Sequence, residues 1–89
     1  MKIKYKKDFT KTFEKLDRNI QEKTIERISI FQNNPFLKIL NNHSLNWKYK
    51  WFRSINITWD YRAIFKEISN WNYEFIEFIE LWTHSQLYF

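Results

Sequence analysis

The chain has 89 residues, which is the length of one small domain, and we treat residues 1–89 as that domain. Hydrophobic residues make up 44% and aromatic residues 21%, which argues against an intrinsically disordered chain. Because there is no cysteine, disulfide bonds and thiolate metal sites are excluded. The longest apolar runs are too short to span a bilayer and the basic N-terminus lacks the apolar segment of a signal peptide, so we expect a cytoplasmic protein without membrane contact.

The formal net charge is +5, and the middle of the chain has a local surplus of basic residues. Six of them stand against Asp60 alone between residues 38 and 66: Lys38, Lys48, Lys50, Arg53, Arg62 and Lys66. Such a cluster attracts polyanions, and RNA or DNA is the most common polyanionic partner. A surplus of lysine that serves solubility explains the charge equally well.

The first half of the chain predicts a strand followed by two helices. Residues Lys2–Lys6 alternate apolar and basic side chains, as a short strand does. Apolar residues at i, i+4 and i+7 from Phe9 predict one face of a helix. A second helix is predicted to begin after Asp17 or Asn19 and to end before Pro35, because the residue that precedes a proline avoids the helical region.

Strands are predicted for the second half. Trp51–Thr58 alternates, with Arg53 on the face that holds the isoleucines and Ser54 on the opposite face. Tyr61–Ile68 and Tyr73–Leu81 have apolar residues on both faces, which is typical of strands covered by helices. The order predicts an α+β fold with an N-terminal strand, two helices and then an antiparallel sheet of three or four strands.

His43 and His84 are the chain's two histidines and the natural candidates for acid–base chemistry, because imidazole gains and loses a proton near neutral pH. Two histidines without an HxxxH or HxH spacing do not predict a zinc site, so we expect no metal. A single histidine at a strand end is more often an ordinary surface residue. Whether His43 and His84 are functional residues therefore has to be judged from the motifs around them.

Two stretches carry a resemblance to a known family. The segments HSLNWKYKWFRSINITWDYRAIF (residues 43–65) and ELWTHSQLY (residues 80–88) resemble the RelE/YafQ superfamily of bacterial type II toxins, and the YafQ branch most closely. That family has a histidine-leucine segment, a strand G-x-[FY]-R-S-I, then D-Y-R-x-[IL]-[FY], and a closing G-T-H-x-x-L-[YF]. The resemblance implies a RelE-like fold and a ribosome-dependent endoribonuclease that cleaves mRNA and is neutralised by a cognate antitoxin.

The resemblance also implies roles for individual residues. His43, Asp60 and His84 match the family's catalytic polar residues, and Arg53 matches a basic residue suited to phosphate binding. From the chemistry of RNA cleavage we assign His84 as the general acid and His43 or Asp60 as the base. Arg53, alone or with Arg62 or Lys50, is expected to hold the phosphate. Contacts with the substrate are expected from Lys48, Lys50, Asn56, Tyr61, Arg62 and Tyr88. Asn56 stands where the YafQ branch has a histidine, so proton transfer falls on the other candidates. No cofactor is expected, since RNA supplies its own nucleophile, the 2′-hydroxyl.

Two other functions remain open at this stage. A toxin of the same fold that binds a protein target such as gyrase, as the ParE branch does, would need no acid–base residues. A small basic RNA-binding module would need only the cationic cluster. The presence of His43 and His84 favours the ribonuclease.

The chain has no glycine and five tryptophans. All five stand where the family pattern or turn chemistry uses glycine: Trp47, Trp51, Trp59, Trp71 and Trp82. A bulky residue with positive φ costs about 1–3 kcal/mol. Our hypothesis is that UGA codons read as glycine in the source organism appear here as tryptophan, and TGG at those codons would end it. Deliberate substitution, or tryptophans that stack on RNA bases, are the alternatives.

Overall fold

The structure, a computed structural model, describes residues 1–45 and 50–87. The elements of the N-terminal half are β1 (Lys2–Tyr5), α1 (Lys7–Lys15), α2 (Arg18–Asn33) and a 3-10 helix (Lys38–Leu40). Those of the C-terminal half are β2 (His43–Ser44), β3 (Arg53–Asn56), β4 (Tyr61–Glu67), β5 (Phe75–Thr83) and the short helix α3 (His84–Leu87). None of these helices is long and apolar enough to cross a bilayer.

The strands form one five-stranded sheet in the order β1-β5-β4-β3-β2. The four later strands pair antiparallel, while β1 lies parallel to β5, with Ile3 opposite Ile76. The predicted α+β fold is confirmed. Four strands follow the two long helices, within the predicted three or four. The prediction did not include the pairing of β1 with β5, which makes the sheet a mixed sheet of five strands.

The main core lies between the two long helices and one face of the sheet. Thr24, Ile28 and Phe31 are the buried residues of α2, and their spacing of three and four places them on one side of that helix. The ring of Phe31 packs edge-on against Phe65 and Phe78, with centroids 4.9 and 5.5 Å apart. Aromatic pairs of this geometry contribute about 0.5–1.5 kcal/mol each beyond the area that they bury.

The opposite face of the sheet carries a second, smaller cluster. Leu45, Ile64 and Leu87 are buried there, and Phe52 and Trp82 pack against them. Leu87 belongs to α3, so this cluster holds the C-terminal helix against the sheet. Both faces of β4 are therefore covered, as the apolar residues on both faces of this strand indicate.

The turn between β4 and β5 has a strained backbone held by one carboxylate. Trp71 lies in a turn, and Asn70, Trp71 and Tyr73 have φ of 40°, 69° and 59°. The Glu67 carboxylate accepts hydrogen bonds from the backbone N–H groups of Trp71 and Tyr73, at 2.9 and 2.8 Å. Trp71 thus occupies a conformation that favours glycine. Trp51, Trp59 and Trp82 have no positive φ, and Trp47 lies outside the described residues.

Candidate active site

A concave surface of about 440 Å³ brings both histidines together. Its lining consists of Asn41, His43, Arg62 and His84. These residues come from the segment before β2, from β2, from β4 and from the start of α3. The surface therefore unites the two parts of the chain that the sequence singled out.

The register of the sheet explains why His43 and Arg62 share a face. His43 lies directly opposite Ser54, and Ser54 lies opposite Ile64. Directly opposite residues project to the same side of a sheet, as do residues two apart on one strand. Arg62, two residues before Ile64, therefore projects from the same face as His43.

His84 is placed by the junction of β5 and α3. The backbone N–H of Thr83 donates to Gln86 Oε1 at 2.8 Å, and the Gln86 N–H donates to Thr83 Oγ1 at 3.3 Å. This reciprocal pair is a capping box, which begins the helix at His84. The His84 N–H in turn donates to the carbonyl oxygen of Asp60 at 2.7 Å. The sequence T-H-S-Q contains the capping signal, which our sequence analysis missed.

Arg62 is fixed through one nitrogen of its guanidinium. Nη1 donates to the carbonyl oxygens of Thr58, Trp59 and Tyr61, at 2.9, 3.0 and 3.2 Å. A guanidinium has five N–H donors in a planar fork. Within residues 1–45 and 50–87 its hydrogen bonds all use Nη1, so Nε and Nη2 retain N–H groups that could bind an anion.

The structure does not bring Arg53 to the histidines. Arg53 precedes Ser54, so it projects from the opposite face of the sheet. There its Nε donates to Asn42 Oδ1 at 2.8 Å, and its guanidinium carbon lies 5.9 Å from the centroid of the Phe36 ring. The place expected for Arg53, beside the histidines, is taken by Arg62.

Arg53 instead anchors the segment that leads into His43. Its Nη2 also reaches the carbonyl oxygen of Asn42, at 3.4 Å. The Asn42 side-chain amide donates to the Pro35 carbonyl at 2.9 Å and to the Tyr73 hydroxyl at 3.2 Å. Sequence reasoning did not identify Asn42, since nothing in the pair Asn41-Asn42 distinguishes an anchor from an ordinary turn asparagine.

Asp60 lies next to His84, whereas Tyr61 lies on the face of the sheet that packs against the main core. Asp60 meets His84 through its backbone carbonyl, and it is not among the residues that line the cavity. Tyr61 is half-buried and packs against the main core, on the face opposite Arg62. Tyr61 does not line the cavity, so its contact with the substrate stays a prediction.

Four further candidates complete the predicted substrate contacts. Asn56 pairs with Arg62 across the sheet, and its Oδ1 is buried without a hydrogen-bond partner among the described residues. Lys50 is exposed, with Nζ 5.1 Å from the centroid of the Trp51 ring. Lys48 and Tyr88 lie outside the described residues.

A second concave surface, of about 340 Å³, lies between α1 and α2. Apolar side chains provide most of its lining, among them Phe9, Phe13 and Ile28. Its one titratable residue is Tyr5, and burial raises the pKa of that phenol. The two histidines, which are the candidates for proton transfer, line the first surface and not this one.

Comparison with known proteins supports the fold. No family model and no curated protein sequence matches the chain. Among solved structures, a YoeB/ParE toxin from Agrobacterium tumefaciens has a TM-score of 0.77 at 20% identity, over 94% of this chain and 99% of that one. YafQ from E.coli has a TM-score of 0.72 at 21% identity, over 99% and 98% of the two chains. An archaeal RelE–RelB complex from Pyrococcus horikoshii has a TM-score of 0.72 at 19% identity, over 92% of each chain.

These comparisons establish the class of fold. Nearly the whole chain superposes on RelE, YafQ and YoeB/ParE toxins, so it has the fold of the RelE/YafQ superfamily. The predicted resemblance is thereby confirmed at the level of fold. All three branches are represented at similar identity, so the activity has to be argued from the site.

Proposed function

We propose that the chain is the toxin of a type II toxin–antitoxin system and acts as an endoribonuclease on mRNA at the ribosome. The observation that carries the proposal is the meeting of His43, Arg62 and His84 on one concave surface. Two groups able to exchange protons then flank a cation that suits a phosphate. The fold of RelE and YafQ toxins supports the same conclusion.

The reaction needs only groups that the surface and the RNA supply. His43 takes the proton of the 2′-hydroxyl, and O2′ forms a bond to phosphorus. The bond from phosphorus to O5′ breaks, and His84 donates a proton to the departing O5′. The products are a 2′,3′-cyclic phosphate and a free 5′-hydroxyl. His43 is preferred to Asp60 as the base, because His43 lines the cavity and Asp60 does not.

Arg62 stabilises the charge that develops on the phosphorane oxygens. A well-placed donor of this kind contributes roughly 3–4 kcal/mol to the transition state. The turn carbonyls that bind Nη1 fix the guanidinium before the substrate arrives, so little reorganisation is needed. Arg62 thus performs the role that the motif assigned to Arg53.

An antitoxin is the second partner in this proposal. Solved neighbours include the E.coli DinJ-YafQ complex and the Pyrococcus horikoshii RelE-RelB complex. By analogy, a cognate antitoxin would neutralise this chain in the cytoplasm, where translating ribosomes are found. The net charge of +5 suits both the RNA and an acidic protein segment.

The test is to add the purified protein to translating ribosomes and to map the ends of the mRNA. We expect cleavage that leaves 2′,3′-cyclic phosphates and that is lost in His84→Ala. Lys15→Ala, which removes an exposed side chain at the end of α1, should cleave like the wild type. Intact mRNA together with arrested DNA replication would instead favour a ParE-like toxin. RNA binding without either effect would favour a simple binding module.

A further inference from the structure

Asn41 has an unusual backbone conformation next to the cavity. It follows the 3-10 helix and has φ of 47° and ψ of 51°, in the left-handed region. Its own N–H donates to the carbonyl oxygen of Lys38 at 3.1 Å, which closes the helix. Asparagine tolerates this conformation better than most residues with a side chain, and glycine adopts it freely.

The conformation places the Asn41 carbonyl against His43. The Asn41 carbonyl oxygen lies 2.9 Å from His43 Nδ1. A carbonyl oxygen can only accept a hydrogen bond, so Nδ1 must carry the proton. In a neutral imidazole the lone pair then resides on Nε2.

We propose that Asn41 is a positioning residue that holds His43 in the tautomer with the proton on Nδ1. The left-handed backbone directs the Asn41 carbonyl, and that carbonyl sets which ring nitrogen can accept a proton. The consequence for RNA cleavage rests on the proposed function. The tautomer itself is a property of the protein alone.

The neighbouring network keeps this carbonyl in place. Asn42, the next residue, is held through its side chain by Arg53 and Tyr73. Arg53 Nη2 also reaches the Asn42 main-chain carbonyl. The peptide unit between the 3-10 helix and β2 is therefore bound on both sides, which favours one ring orientation for His43.

Two substitutions distinguish the effect of the Asn41 backbone conformation from the effect of its side chain. Asn41→Gly removes the side chain but adopts the left-handed region freely, whereas Asn41→Val strongly disfavours that region. The measurement is the ¹⁵N NMR spectrum of histidine-labelled protein, at a pH where the imidazoles are neutral, with cleavage of ribosome-bound mRNA measured in parallel. Asn41→Ala replaces Asn41→Val if the latter does not fold.

We expect the wild type and Asn41→Gly to show His43 protonated on Nδ1, and Asn41→Gly to cleave faster than Asn41→Val. Asn41→Val should shift His43 toward the Nε2-protonated tautomer and cleave at least about tenfold more slowly, since general base catalysis supplies about 10²–10⁴-fold. His84 provides an internal reference whose spectrum should change little.

Two results would overturn the proposal. One is wild-type His43 protonated on Nε2. The other is Asn41→Gly as inactive as Asn41→Val with the wild-type tautomer retained, because the side chain of Asn41 would then act on the RNA. A wild type that shows the expected tautomer but cleaves no RNA would reject the proposed ribonuclease and leave the structural role of Asn41 supported.

Discussion

The backbone N–H of His84 donates to the carbonyl oxygen of Asp60 at 2.7 Å, and this bond joins the start of α3 to the turn between β3 and β4. Arg62 binds carbonyls of the same turn. The proposed acid and the proposed phosphate ligand are therefore fixed to one short stretch of backbone. Such coupling matters, because displacing a catalytic group by 1 Å can cost about 100-fold in rate.

Arg62→Ala should lower the single-turnover rate of mRNA cleavage by about 100- to 1,000-fold, the usual effect of removing one donor to a developing oxyanion. Lys66→Ala removes an exposed cation from the same strand and is the matched control, with a rate close to that of the wild type. Both variants should be compared at equal folded fraction, because Arg62 also holds the turn. Equal rates for the two variants would remove Arg62 from the chemistry.

Arg53 should contribute to stability through Asn42. A double-mutant cycle of Arg53→Ala and Asn42→Ala is expected to give a coupling of about 1–2 kcal/mol in the free energy of unfolding, typical of a partly buried hydrogen bond with a charged donor. The exposed ion pair between Arg18 and Glu22, at 3.4 Å, is the control and should show coupling close to zero. Urea titrations of the four proteins measure the coupling, and additive effects at Arg53 and Asn42 would contradict the anchor.

Trp71→Gly should stabilise the protein, because Trp71 has φ of 69° and glycine adopts this region without strain. The expected gain is about 1 kcal/mol, or a rise in Tm of about 4–8 °C for a domain of this size. Trp59→Gly is the control, since Trp59 is 88% exposed and has no positive φ. That variant should be neutral or slightly destabilised. A loss of stability in Trp71→Gly would argue against glycine as the residue suited to this turn.

The turn between β4 and β5 should weaken in acid. Partial burial raises the pKa of Glu67, but hydrogen bonds from Ser69, Trp71 and Tyr73 outweigh it and hold the pKa below the ordinary value of 4.5. A carboxylate whose pKa is lower in the folded state stabilises that state above its unfolded-state pKa, and the contribution is lost as the pH falls through the folded-state value.

The free energy of unfolding of Glu67→Gln should therefore lie furthest below that of the wild type near neutral pH, with the gap narrowing as the pH falls below 4.5. Urea titrations of both proteins, from neutral pH to below pH 4.5, measure this difference in the free energy of unfolding. Glu74→Gln, in the same turn, is the control, because the Glu74 side chain accepts none of these hydrogen bonds. A difference that stays constant with pH would mean that the Glu67 charge is not what holds the turn.

The sequence predicts the order of the elements and identifies His43 and His84 as candidates for acid–base chemistry. It can do so because periodicity and motif spacing are local properties. It also placed Arg53 on the isoleucine face of β3, and that face proved to be the one that the helices cover. The motif nevertheless suggested a phosphate ligand there, and the choice of Arg62 became clear only from the register of β3 and β4. The carbonyl of Asn41 could not be predicted, since it acts through a backbone angle that the residue type permits without requiring.

The central claim is that His84 protonates the leaving O5′ while His43 acts as the base. The most direct measurement is single-turnover cleavage of ribosome-bound mRNA in which sulfur replaces the bridging O5′ at the cut site. A thiolate leaves without protonation, so we predict that this substrate restores near-wild-type cleavage to His84→Ala but not to His43→Ala. Failure to rescue His84→Ala, or rescue of His43→Ala alone, would contradict the assignment of acid and base.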